Sequence, residues 1–253
     1  MKLNSKKIIL TGALALGIAS IATTGTVLAE EEKPTADLTV GVYSQYIWRG
    51  FELSKDSIVI QPSMTVAYKG FAANLWGNLD TDHKAALGTP GNDWTETDMT
   101  LSYDGSYQMV NYGIGYIYYE VDGGKDTQEI YGSLGLDVLL APTLTIYREI
   151  TGASTTYYTL GVSHSFPLTE KLSLDLGAQG SYLDDDKNNY GALHDGILSV
   201  AIPFTVNDYL SVAAELNWSF ALSNDAETRL KNDNVASGDD SFIYGGLSAS
   251  FAF

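Results

Sequence analysis

Three histidines, His83, His164 and His194, are the side chains whose type most invites chemistry, because an imidazole can take the proton of a serine nucleophile. Ser163 and Ser165 flank His164, but adjacent residues of an extended strand point to opposite faces. Neither serine can therefore pass its proton to that ring, which shares a face with Leu160, Val162 and Phe166. His83 and His194 read as lying in or beside loops. No nucleophile–His–acid set emerges, and the chain is not expected to be an enzyme. The run Asp184-Asp185-Asp186-Lys187-Asn188-Asn189-Tyr190 offers acids and amides at 184, 186 and 188, as a calcium loop does. It lacks the Gly at the sixth place and the bidentate Glu at the twelfth, so it reads as a solvated loop. No cofactor and no resident metal are expected.

The composition narrows the field further. The 253 residues carry 31 Asp+Glu against 14 Lys+Arg, with 25 Gly, 17 Tyr and no Cys. The acidic balance argues against nucleic acid, whose phosphates call for basic patches. Zero Cys excludes disulfide scaffolds and thiolate sites. A 45% hydrophobic share is too high for a disordered chain.

The first 29 residues read as a cleavable secretory signal peptide. Lys2, Lys6 and Lys7 precede an apolar stretch from Ile8 to Leu28, and Val27-Leu28-Ala29 supplies small residues for cleavage before Glu30. The other reading is a retained anchor, which Thr11, Ser20, Thr23, Thr24 and Thr26 dilute. Cleavage removes three lysines and no acid, moving the formal net charge from −17 to −20. Beyond the leader no stretch has 18 consecutive apolar residues, so no transmembrane helix is expected.

From Asp37 onward the hydrophobic period is two. Leu172, Leu174 and Leu176 alternate with Ser173, Asp175 and Gly177. Leu210, Val212, Ala214, Leu216, Trp218 and Phe220 do the same across 209–221. The pattern predicts about twelve strands, near 37–50, 57–68, 71–80, 94–103, 108–121, 127–140, 143–150, 155–166, 171–183, 192–206, 209–221 and 241–253. Tight connections fall at Lys69-Gly70, 104–107, Ala141-Pro142, 167–170 and Asn207-Asp208, and they alternate strictly with longer ones. In an up-and-down meander this puts every short turn at one end, the asymmetry of outer-membrane barrels. The bilayer supplies the reason, because a lipid-exposed sheet cannot leave an unpaired edge. The expected fold is an all-β, antiparallel up-and-down transmembrane barrel of one domain, residues 30–253, with both termini periplasmic. The last strand, with Leu247, Ala249, Phe251 and Phe253 on one face, resembles the signal read by the barrel-assembly machinery.

Tyr43, Tyr46, Trp48, Tyr112, Tyr116, Tyr118, Tyr119, Tyr157 and Tyr158 fall within predicted strands and suit a membrane interface. A soluble β-sandwich with an aromatic core is the alternative, but it leaves the alternating loop lengths unexplained.

The run Val42-Tyr-Ser-Gln-Tyr-Ile-Trp-Arg-Gly50, with Gln61-Pro62-Ser63 and Asn74-Leu-Trp-Gly-Asn78 after it, resembles the opening of the TorF-like porin family. The match is specific over 42–80 and loose beyond, as at Tyr157–Phe166. The resemblance implies a small outer-membrane channel in a Gram-negative-type cell. It brings no substrate and no catalytic residues.

With apolar positions facing lipid, the opposite set lines the lumen: Tyr43, Gln45, Arg49, Asn74, Asn78, Glu96, Asp98, Glu129, Asp137, Asp175, Gln179, Glu215 and Asn217. Acids dominate that set, so an open bore should mildly prefer cations. Alternatively, the acids pair with Arg49, and with Arg148 if its strand is phased inward, in a plug that closes the lumen. The leading expectation is a passive channel for small hydrophilic solutes, and the second is a closed structural or surface-interaction barrel. Lipid and lipopolysaccharide are the expected surroundings, and acidic outer loops could bind bridging divalent cations.

Overall fold

A computed structural model describes residues 33–84, 90–152, 154–234 and 236–253. The expected signal peptide, residues 1–29, lies outside the described residues. The chain runs through β1 (Thr35–Tyr43), β2 (Ile47–Trp48), β3 (Phe51–Glu52), β4 (Val59–Tyr68), β5 (Phe71–Lys84), β6 (Pro90–Tyr107) and β7 (Val110–Val121). It continues through β8 (Thr127–Leu136), β9 (Thr143–Glu149), β10 (Thr155–Pro167) and β11 (Ser173–Asp185) to a 3-10 turn at Asp186–Asn188. β12 (Tyr190–Thr205), β13 (Leu210–Ala221), helix α1 (Asn224–Asp233) and β14 (Ser241–Ala252) complete it.

Twelve strands close one antiparallel barrel in sequential order, and β2 and β3 form a separate two-stranded hairpin. Alternation decides which side each residue takes. Along β1, Leu38, Val40 and Val42 are exposed on the outer wall, while Thr39 and Tyr43 are buried inside. β13 repeats this, with Leu216 and Trp218 outside and Glu215, Asn217 and Ser219 buried. The core is inverted, with an apolar outer band and a polar interior. That arrangement is stable where hydrocarbon surrounds the barrel and every strand has two partners. Among the described residues no helix is long and apolar enough to cross a membrane.

The barrel closes at the seam of β1 with β14, where Thr39 Oγ1 and Ser250 Oγ lie 2.8 Å apart. Gly246 is required there. A Cβ on it would sit 2.1 Å from the Val42 carbonyl oxygen and 2.4 Å from the Tyr43 ring.

Some boundaries differ from the sequence expectation for definable reasons. The Asp104–Tyr107 segment, predicted as a turn, extends β6, and the chain reverses at Gln108, which takes a left-handed φ of 54°. Asp-Gly is a strong turn signal, but here Gly105 pairs with Tyr112 and leaves room for its ring. The predicted strand 127–140 stops at Leu136, and residues 137–142 form the turn, with Leu140 and Ala141 at positive φ. The first predicted strand stops at Tyr43 rather than reaching Gly50, and the residues after it enter the barrel.

Candidate functional site

After Tyr43 the chain leaves the wall and folds a small hairpin into the outer half of the bore. Leu53 N donates to the Tyr46 carbonyl at 2.9 Å, Tyr46 N donates to Ser54 Oγ at 2.7 Å, and Gln45 Nε2 donates to Glu52 Oε1 at 2.8 Å. Arg49 and Gly50 make the turn, both left-handed, with φ 52° and 79°. Gly50 also lies under Leu230 of α1, whose Cδ1 would be 3.0 Å from any added Cβ. Tyr46, Ile47 and Arg49 are buried, and the Tyr46 ring packs against Trp76 of the wall at 5.6 Å.

The tip of this plug is held by charge. Arg49 Nη1 donates to Glu129 Oε1 at 2.9 Å and Nη2 to Oε2 at 2.7 Å, a bidentate pair whose side chains are 7% and 6% exposed. Tyr119 OH donates to the same Oε2 at 3.0 Å. The guanidinium carbon lies 4.3 Å from the Trp48 ring, 4.4 Å from Tyr157 and 5.0 Å from Tyr147. Aromatic faces attract such a cation most where water is excluded. Arg49 is the one buried Lys or Arg among the described residues, against seven buried acids: Asp80, Glu96, Glu129, Glu149, Asp185, Asp195 and Glu215.

A bulge in β12 completes the support. Gly196 pairs with Gly180 and Leu193 with Tyr182, so Ser181 faces two consecutive residues, His194 and Asp195. Both point inward and are fully buried, which plain alternation would forbid. His194 Nε2 is 3.1 Å from the Arg49 carbonyl, and Nδ1 is 2.8 Å from Tyr190 OH. A carbonyl only accepts, so Nε2 carries the proton and Nδ1 accepts from the tyrosine. Asp195 Oδ1 accepts from Tyr157 OH at 2.8 Å and from Ser181 Oγ at 2.5 Å, which fixes one ring beside Arg49.

Above the plug, α1 forms a lid. Its N-cap is Ser223, whose hydroxyl oxygen accepts from Ala226 N at 3.1 Å. Ala226 and Leu230 are its buried face. Asn234 ties lid to plug by accepting from Glu52 N at 2.8 Å and donating to the Gly50 carbonyl at 3.1 Å. Lys55 Nζ donates to the Ala236 carbonyl. Arg229 pairs with Asp233 and reaches Asp185 at 3.0 Å, where β11 leaves the barrel for the outer cap.

Burial pushes the Asp185 carboxyl up, but hydrogen bonds from Asn188 and Arg229 outweigh it and hold it below its ordinary value. Stabilisation of this sign is complete above the unfolded carboxylate pKa and is lost as pH falls through the lower folded one. Proteolysis within residues 222–240 should therefore accelerate on acidification through that window. In Asp185→Asn, cleavage should be raised at neutral pH and should lose that acid step; an unchanged step would exclude Asp185 as its source.

Most of the residues singled out from the sequence do face the bore. Tyr43, Asn78, Glu96, Glu129, Gln179, Glu215 and Asn217 are buried on barrel strands, and Arg49 is buried on the plug. Asn74 is half-buried and donates to Ser63 Oγ at 2.8 Å. Asp98 and Tyr46 both lie within hydrogen-bond reach of the Glu96 carboxyl. Asp175 takes hydrogen bonds from Ser165 and Ser173 towards the short-turn end. Gln45 sits on the plug rather than on a wall strand. Asp137 is corrected: it is exposed in the 137–142 turn, because β8 ends one residue earlier. Arg148 is on the outer face with Leu144 and Ile146, bonded to Thr156 Oγ1 at 2.6 Å, so it pairs with no lumen acid. His194, read as lying in or beside a loop, is in the buried bulge of β12, whereas His83 stands near the outer end of β5, 3.2 Å from Asp93. His164 is on the opposite face from Ser163, against the Phe166 ring.

Tyr147, Ser181 and Asp195 were not legible as site residues. Tyr119 and Tyr157, read as interface tyrosines, are buried inside. A signal existed for Tyr157, which shares parity with Thr159, Gly161 and Ser163, the polar side of its strand. The bulge at 194–195 left none.

Several solved barrels share this architecture. The NanC porin superposes with a TM-score of 0.55 at 9% identity, covering 85% of this chain and 98% of its own. An outer membrane channel from Pseudomonas putida F1 gives 0.51 at 11%, covering 87% and 95%. LpxR from Salmonella typhimurium gives 0.50 at 9%, covering 86% and 99%. Identities this low show a shared fold and nothing finer. No curated protein sequence matches the chain. A family model does: residues 30–190 match the one described as bacterial protein of unknown function, and the chain accordingly belongs to the Gcw_chp family.

Proposed function

We propose that the protein is an outer-membrane passive channel for small hydrophilic solutes, favouring cations, and not an enzyme. The observation that carries this reading is the interior charge. Among the described residues Asp80, Glu96, Asp195 and Glu215 are buried acids beyond the Arg49–Glu129 and Arg229–Asp185 pairs. A narrow wall with unbalanced carboxylates attracts cations and repels anions. Likeness in fold to a porin and an outer membrane channel supports the same class, as does the TorF-like opening at 42–80. The apolar outer band supports outer-membrane residence, with delivery by a leader at 1–29 and assembly through the Phe253 strand.

The reading is tested in planar bilayers under a potassium chloride gradient. The reversal potential should take the sign of cation selectivity. Anion selectivity overturns the cation preference, and absence of conductance overturns the channel.

A second reading, a closed structural barrel, is favoured by one specific observation: the 44–58 segment occupies the outer half and is bonded to wall and lid at once. Deleting residues 45–57 separates the two. A silent wild type with a conducting deletion identifies the plug as a permanent closure.

A further inference from the structure

The surroundings of Arg49 have the form of a ligand site that the chain itself fills. Four wall residues from four consecutive strands converge on the guanidinium: Tyr119 of β7, Glu129 of β8, Tyr147 of β9 and Tyr157 of β10. Glu129 presents both carboxylate oxygens to the two terminal nitrogens, and Tyr119 orients that carboxylate. Tyr157 and Tyr147 supply ring faces at 4.4 and 5.0 Å, and Asp195 fixes the Tyr157 hydroxyl from behind. A fork-shaped carboxylate contact between aromatic faces suits a planar guanidinium better than a spherical cation.

The occupant is attached differently from the wall. The plug shares no ladder with the barrel strands, since β2 pairs with β3 alone. Its tip is held by the Arg49 side chain, by His194 on the Arg49 carbonyl and by Asn234 on the Gly50 carbonyl and the Glu52 amide. Trp48, the third ring, belongs to the plug and would leave with it.

We propose that the Tyr119–Glu129–Tyr147–Tyr157 wall is a binding site for a guanidinium-bearing solute, with Arg49 as a tethered internal stand-in. A free guanidinium would donate two N–H groups to Glu129 and lie between the tyrosine faces, displacing Arg49 and withdrawing the plug tip. This rests on the channel reading and names a solute class for it. A tethered competitor acts at millimolar or higher effective concentration, so the wild type binds such a solute weakly while Arg49 is present.

The test uses the full chain in detergent micelles, titrated with arginine methyl ester by calorimetry, with lysine methyl ester and potassium chloride at matched ionic strength as controls. Arg49→Ala should bind arginine methyl ester saturably, at least about tenfold more tightly than the wild type, as expected when a tethered competitor is removed. Arg49→Ala/Glu129→Gln should lose that binding. No saturable binding to Arg49→Ala, affinity equal to the wild type, indifference to Glu129→Gln, or equal binding of the lysine ester overturns the proposal. Should Arg49→Ala not fold, the wild type decides: arginine methyl ester must raise its melting temperature above both controls, and Glu129→Gln must abolish the difference. These readouts need no conductance. Binding without conduction sinks the channel and keeps the site, and conduction without binding does the reverse.

Discussion

Glu129→Ala is expected to lower the stability of the barrel by about 3–5 kcal/mol, because it strands the Arg49 charge in a buried site. The guanidinium and the carboxylate are each less than a tenth exposed and satisfy one another through two hydrogen bonds. Removing the carboxylate leaves a cation among Trp48, Tyr147 and Tyr157, whose faces soften but do not replace an ion pair. Tyr119 also loses the acceptor of its hydroxyl. Urea unfolding, tracked by the gel mobility of the unheated protein, measures the loss. The barrel ladder itself is untouched, so the variant should still form a barrel and should conduct more than the wild type as the plug tip detaches. A midpoint within about 0.5 kcal/mol of the wild type, the ordinary range of a surface substitution, would show that Arg49 finds water instead.

Gly246→Val is the second large effect, and it acts on closure. At the β14–β1 seam the added Cβ would meet the Val42 carbonyl oxygen at 2.1 Å, a contact with backbone that no rotamer change relieves. Tyr43, whose ring also crowds that position, is buried beside Glu215 on the lumen side. Forcing atoms into so close a contact costs about 1–3 kcal/mol, occasionally more. Here that cost opens the seam carrying the pairs from Asp37 with Ala252 to Tyr43 with Gly246. Slower folding into the gel-resistant form and a lowered urea midpoint are the expected results. Gly246→Ala should show both more mildly. Wild-type behaviour of the valine variant would mean that the two strands lie further apart than this contact requires.

Each feature was legible to the extent that it depends on local pattern. The barrel rests on a period-two alternation repeated along most of the chain and on a regular succession of connection lengths. Both are local, so both survive in a linear reading. Turn placement was less secure where two local signals competed. Asp104-Gly105 looks like a reversal, yet its residues pair with Gly113 and Tyr112, and the chain turns at Gln108. Asp137 lies one residue beyond the end of β8, so strand parity does not set its direction.

The lumen face was readable wherever parity was unbroken, as at Asn74, Glu129 and Glu215. It was unreadable at His194 and Asp195, where one extra residue turns two neighbours to the same side. The aromatic residues were ambiguous because a tyrosine fits a membrane interface and a polar interior equally well. Only the identity of its strand neighbours separates the two, as at Tyr157.

Read in one dimension, the chain already specifies a twelve-stranded barrel with its apolar side outward and an acidic inner face, because pleating ties each side chain's direction to its position along the strand. The linear reading also raises both an open bore and a plug centred on Arg49, without choosing between them. That choice belongs to the three-dimensional fold. Arg49 and Glu129 are eighty positions apart, and whether they meet depends on where a non-ladder hairpin comes to rest inside a closed cylinder. No periodicity encodes that position. It is set by a carboxylate, two tyrosine faces, a bulged histidine and an asparagine under the lid, drawn from separate segments that only barrel closure brings to one place.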